Sequence, residues 1–272
     1  MKLLEMSFFL TLVFTLILIS GLAVLGLFIV QKVIKVKTLE NEGIRIGTTI
    51  VSIIGALYGL VLALMVINLW KDYVELSAKT VVVATQIDIL YREAGNLESE
   101  QKNQLRSLIK EYLSIIITES WPKMQEGIES NIALEHYNKL DFYVLGLTDK
   151  DITRGEETVL GDLSSGLNEL SMLRKERLLY ASISRIPESM WYIIVIGAIL
   201  AISCTYFLKV GSFRLQIIYT IMHSSMIGVV IFVIIALNFP FKGAIKIEPY
   251  AFKKTLELIS DKKRNMYTKL IQ

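Results

Sequence analysis

Four apolar runs, each long enough to cross a bilayer, constrain this 272-residue chain more than any other feature. They cover residues 7–31, 46–70, 188–208 and 215–238. A helix needs about 20 residues to span the hydrocarbon core. Lipid leaves an open backbone unsatisfied, so runs of this length fold as helices. The composition agrees: 53% hydrophobic residues and a mean hydropathy of +0.51 are too apolar for a soluble globule of this size. The first run reads as a retained span. Its apolar core exceeds the ~7–15 residues of a cleaved leader, and Glu5 interrupts a basic start.

The remaining composition excludes several function classes. A formal net charge of +3 gives no field suited to nucleic acid. One cysteine, Cys204, cannot build a disulfide framework. The two histidines, His136 and His223, fall in different segments, so no metal or other cofactor is expected. No carboxylate pair, nucleophile triad or glycine-rich phosphate loop stands out, and the chain is not read as an enzyme.

The spans come in two pairs, with a polar stretch at 71–187 between them and an amphipathic tail at 239–272. The second span has no breaker until Gly95-Asn96, so its helix is expected to continue well past Trp70. Val74, Val81, Ala84, Ile87 and Tyr91 supply its apolar stripe. A helix over roughly 99–121 follows, with Leu105, Leu108, Ile109, Tyr112, Ile115 and Ile116 on one face, ended by "WPKMQEG". A shorter helix near 130–146, the loop "TDKD" and a helix near 153–186 complete the stretch. The last carries Leu160, Leu163, Leu167 and Leu170, and Pro187 opens span three. The expectation is an all-α integral membrane protein with four transmembrane helices and a helical-bundle insert between the second and third.

Four spans place both ends and the bundle on one side. The short loops carry Lys32, Lys35, Lys37, Arg45, Lys209 and Arg214. Lys2, Lys242, Lys246, Lys253, Lys254 and the cations at the ends of the bundle balance them, so the positive-inside rule gives no orientation.

Several segments carry candidate sites. Gly55, Gly59 and Ala63 recur every four residues in span two, with Tyr58 and Asn68 nearby. A small-residue face lets helices approach closely in lipid, within the chain, between subunits or around a pore. His223, Ser224 and Ser225 put polar groups inside span four, for packing or for gating. Arg174 and Arg177 extend the leucine stripe of the last bundle helix. They suit either ion pairs or an anion-attracting ring. At the end of span four, Pro240 stops the helix and Gly243 permits a turn that sends the tail back. Phe239 and Phe241, like Trp70, Trp191 and Tyr192, suit the headgroup boundary. Phe252, Leu256 and Ile259 give the tail helix an apolar face for the bundle or the interface.

The ordered pieces "NEGIRIGTTIVSIIGALYGLVLALMVINLW", "LYREAGNL", "SWPKM", "RKERLL", "IPESMW", "TYF" and "LNFPFKG" resemble the bestrophin-like domain family of bacterial membrane proteins, over roughly 41–252. That family's pattern usually has aspartate where Asn238 stands and an acidic residue where Ser120 stands. The resemblance implies a multi-pass protein of the bacterial inner membrane with cytosolic ends. It also implies a homo-oligomer, a pentamer by analogy with bestrophins, passing small inorganic anions passively. Its partners would be the lipid bilayer and further copies of itself. A non-conducting, membrane-anchored scaffold or sensor that binds a partner through its bundle is the alternative.

Overall fold

The structure is a computed structural model that describes residues 8–34, 41–148, 154–208, 212–243 and 245–261. Lys2, Lys35, Lys37 and Lys209 of the charge comparison, and residues 149–151 of the "TDKD" loop, lie outside the described residues. Among the described residues there is no strand. The helices are α1 (Phe8–Ile34), α2 (Asn41–Glu93), α3 (Ser99–Ile115), α4 (Trp121–Glu126), α5 (Asn131–Thr148), α6 (Arg154–Ser182), α7 (Glu188–Tyr206), α8 (Phe213–Asn238) and α9 (Tyr250–Ser260). By length and composition, α1, α2, α7 and α8 can each cross a membrane.

The chain divides into two compact units, and α2 belongs to the first as far as Tyr73 and to the second beyond it. A seven-residue recurrence along α2 supplies buried side chains throughout: Leu62, Leu69, Leu76, Val83 and Leu90 are all at most 5% exposed. Such a heptad keeps one seam of a long helix against its neighbours. Val74 and Val81, expected on the packing stripe, are instead about half exposed. Ala84, Ile87 and Tyr91 of the expected stripe are buried, and Leu76 and Val83 take the places expected for the two valines.

In the first unit α1 packs on α8 in antiparallel fashion. Phe8 meets Phe232 and Phe28 meets Phe213, both edge to face at 5.2 Å. Edge-to-face geometry sets the positive rim of one ring against the negative face of the other. Ala23 and Leu27 of α1, Ala198, Ala201 and Tyr206 of α7 and Ile227 of α8 share one core. Leu62 and Leu69 of α2, Ile194 of α7 and Ile234 and Leu237 of α8 share a second. Glycine sets two of the close approaches. A Cβ at Gly26 would lie 2.8 Å from the Tyr206 hydroxyl, and one at Gly197 would lie 2.4 Å from the Tyr58 ring.

In the second unit the core is built from α2, α3, α5 and α6, with Leu105, Ile109, Leu140, Leu163, Leu167 and Leu170 nearly inaccessible. Helix α3 does not end at the Trp121-Pro122 pair, as its sequence suggests. One π turn, Ile116–Ser120, precedes the proline, and the Trp121 N–H bonds back to the Ile116 carbonyl. The widened turn makes room for the proline ring and absorbs its missing donor, so the path continues as α4. Gly127, at φ 82°, then terminates it, with Ile128 N–H on Lys123 O at 3.0 Å and Gly127 N–H on Met124 O at 2.9 Å. Those two bonds form the Schellman motif that a left-handed residue permits. Ser130 caps α5 by accepting the Ala133 N–H at 3.3 Å.

Helix α9 docks on this bundle. Phe252 and Ile259 are buried, and the Phe252 ring lies 5.5 Å from that of Trp121. Leu256 is only half buried, and Thr255 takes the place beside Phe252.

Candidate functional site

The small residues of α2 and its tyrosine separate. Tyr58 turns inward, and its hydroxyl donates to the Ile194 carbonyl of α7 at 2.7 Å. Its ring fills the notch left by Gly197. Tyr58 therefore packs α2 against α7. A Cβ added at Gly55 or Gly59 would meet nothing within 4 Å, and Gly59, Ala63 and Asn68 are exposed. Asn68 lies nine residues from Gly59, half a turn round at about 100° per residue, so the two cannot share one surface.

Opposite the Tyr58 seam runs a second stripe absent from the sequence reading. Ile53, Leu57, Leu60, Leu64 and Ile67 alternate four- and three-residue steps and are each 50–61% exposed. No Asp, Glu, Lys or Arg falls between Ile46 and Trp70. The available signal was the same heptad spacing, read on the other side of the helix.

The polar groups of α8 also divide. Ser224, fully buried, bonds back to the Ile221 carbonyl at 3.1 Å. Ser225 meets Ser20 of α1 at 3.0 Å. His223 is half buried and bonds to the backbone of Ala201 in α7, while its Nε2 is enclosed without a partner. Further along α8, Gln216 accepts from Gln31 of α1 and donates to the Tyr206 carbonyl, and the Tyr206 hydroxyl donates to the Ala23 carbonyl. His223 reaches α7, Ser225 reaches α1 and Ser224 bonds within α8, so the three side chains of "HSS" have separate partners.

Arg174 and Arg177 lie inside the second unit, 4% and 5% exposed. Arg174 pairs with Glu129 and lies over the Tyr137 ring, beside a groove of about 440 Å³. Arg177 lies over the rings of Trp121 and Phe252. An anion-attracting ring needs solvent-facing cations, and both guanidiniums are closed off within the bundle. Arg174 makes the expected ion pair, with Glu129, and Arg177 rests against aromatic rings.

At the end of α8, Lys242 N–H bonds to the Phe239 carbonyl at 2.9 Å, closing a turn with Pro240 second, and Gly243 takes φ 79°. Proline suits that place because its φ is already set. Phe241 is not at a boundary with solvent or lipid but fully buried. Just before the turn lies the residue the sequence reading used only as a departure from a family pattern. Asn238, 0% exposed, donates to Ser184 Oγ at 3.0 Å and accepts the Ile186 N–H at 2.9 Å. It joins the end of α8 to the segment that leads into α7.

Among the described residues no group of three or more His, Cys, Asp or Glu side chains is placed to hold a metal ion. Among the described residues the geometry offers a membrane helix with an uncovered apolar ridge and a bundle with buried cations.

No curated protein matches the chain. Solved structures do match in fold. A bacterial bestrophin homolog from Klebsiella pneumoniae is 13% identical with a TM-score of 0.66, covering 91% of this chain and 96% of that one. A crystal structure described as a membrane protein is 14% identical with a TM-score of 0.67, over 91% and 96%. The family model of the Bestrophin-like domain matches residues 17–252. That match takes in Gly55, Gly59, Arg174, Arg177 and Asn238, and on it this chain belongs to the Bestrophin-like domain family of membrane proteins.

Proposed function

We propose that the protein is a passive, channel-like homo-oligomer, a pentamer, whose α2 helices surround a conduit for small inorganic anions. One observation carries the reading: α2 presents an apolar heptad ridge, Ile53 to Ile67, that nothing among the described residues covers. Gly59 and Ala63 flank it, while Gly55 lies nearer the Leu62 seam. In lipid a ridge alone attracts no partner, but a small-residue flank lets backbones of neighbouring copies approach closely. With Gly59 and Ala63 at the copy-to-copy contact, the ridge turns toward the axis. An apolar constriction of that kind gates by dewetting and binds ions weakly, which suits passive flux. Arg174 and Arg177 have no part in it.

The test is assembly and flux together. Leu60→Cys in a Cys204→Ser background should form disulfide-linked dimers in membranes and lose them on reduction. Liposomes holding the parent protein should pass chloride, and Leu60→Ser should raise the flux by wetting the constriction. A monomer in nanodiscs that passes no anion overturns the reading in favour of a scaffold or sensor. The ends and the bundle face the cytoplasm of a bacterial inner membrane in this proposal. A reporter active only in the periplasm should stay silent when fused after Gln272.

A further inference from the structure

Arg177 is a buried cation whose hydrogen-bonding edge is idle. Its guanidinium carbon lies 5.5 Å from the Trp121 ring and 5.2 Å from the Phe252 ring. Ring faces attract the charge but accept nothing from the N–H groups in the guanidinium plane. Nε and Nη1 are enclosed and donate to no atom of the described residues. The nearby Arg174 has the same sign and is already paired with Glu129. Burial pushes Arg177 down to about 10, chiefly by desolvation, which leaves it charged at neutral pH.

Arg177 also lines a small cavity of about 10 Å³ between α2 and α6, walled by Leu76, Thr80, Val83, Leu173 and Tyr180. A cavity of that size holds one water-sized particle. Two more charges line it, Lys79 and Glu176, and these bind each other. Lys79 is shared with a second carboxylate, Glu75, while the Arg177 guanidinium rests against aromatic rings. A buried charge is stable when it is both paired and hydrogen-bonded. Water would supply an acceptor without the charge, whereas phosphate, sulfate and carboxylates are too large for the space.

We propose that Arg177 forms a binding site for a single halide ion, inside the helical bundle and apart from any conduit. The ion accepts from one of the two idle N–H groups and lies against the guanidinium, and it stabilises the packing of α6 against α2. The site requires no flux, so failure of the channel reading leaves it standing.

The test is thermal unfolding of purified full-length protein at constant ionic strength, with sodium gluconate exchanged for sodium chloride or bromide. The midpoint should rise saturably by roughly 2–4 °C in either halide. Sodium sulfate should give no such rise. In Arg177→Met the dependence on halide should vanish. Bromide-grown crystals of the parent should show an anomalous peak in contact with the Arg177 guanidinium, which decides the matter even if the variant fails to fold. An equal halide response in Arg177→Met overturns the proposal. So does a halide-insensitive midpoint with only water beside Arg177.

Discussion

Asn238 in the first unit and Arg177 in the second are both buried polar side chains, and the fold treats them in opposite ways. Asn238 is fully enclosed, yet its amide donates to Ser184 and its carbonyl accepts from Ile186. Arg177 is almost as enclosed, yet it rests against two aromatic rings and two of its nitrogens donate to nothing among the described residues. A neutral amide can be satisfied by backbone and a hydroxyl. A charge inside a bundle requires an opposite charge as well. The difference explains why Asn238 behaves as a structural fastening while Arg177 points to a ligand.

The contrast can be broken at four places. The largest effect should come from Phe252→Ala, which removes one wall of the Arg177 enclosure and the anchor of α9. A loss of about 3–5 kcal/mol is expected for a buried phenylalanine, read from denaturant unfolding. A loss well under that would mean that α9 contributes little to the enclosure. Next comes Asn238→Ala, which leaves the Ile186 N–H buried and unpaired. About 1–3 kcal/mol should be lost. Asn238→Asp should recover most of it, because a carboxylate accepts from both Ile186 and Ser184. If aspartate is as damaging as alanine, Asn238 is not acting through those bonds.

Tyr58→Phe is smaller. It deletes the bond to Ile194 while keeping the ring against Gly197, and bonds between membrane helices average about 0.6 kcal/mol. A larger loss would show that Tyr58 holds more than the α2–α7 contact. The smallest effect belongs to Arg177→Met in halide-free buffer. Lost cation–π contact and relieved charge burial should nearly cancel, leaving stability within about 1 kcal/mol of the parent. A severe loss there would place a protein partner on the guanidinium.

Much of the fold was legible because lipid and helix geometry are demanding solvents and scaffolds. Long apolar runs could only be helices, and the continuation of α2 past Trp70 followed from the absence of breakers. The leucine stripe of α6 was visible as well, and all four leucines are buried. The misreadings share a cause. Pro122 looked like a helix end, but a π turn absorbed it. Val74 and Val81 fit a helical stripe, yet the competing heptad through Leu76 and Val83 won the burial.

The sequence by itself determined which segments are helical, which of them suit lipid and which lack charge, since these depend on composition and period alone. Only the tertiary structure decided what each face meets. It turned Tyr58 inward and left Gly59 bare one residue later, split Ser224 from Ser225, and set Arg177 against a pair of touching rings brought from α4 and α9. The physical reason is that period specifies a direction around a helix axis. The partner lying in that direction comes from residues distant in the chain.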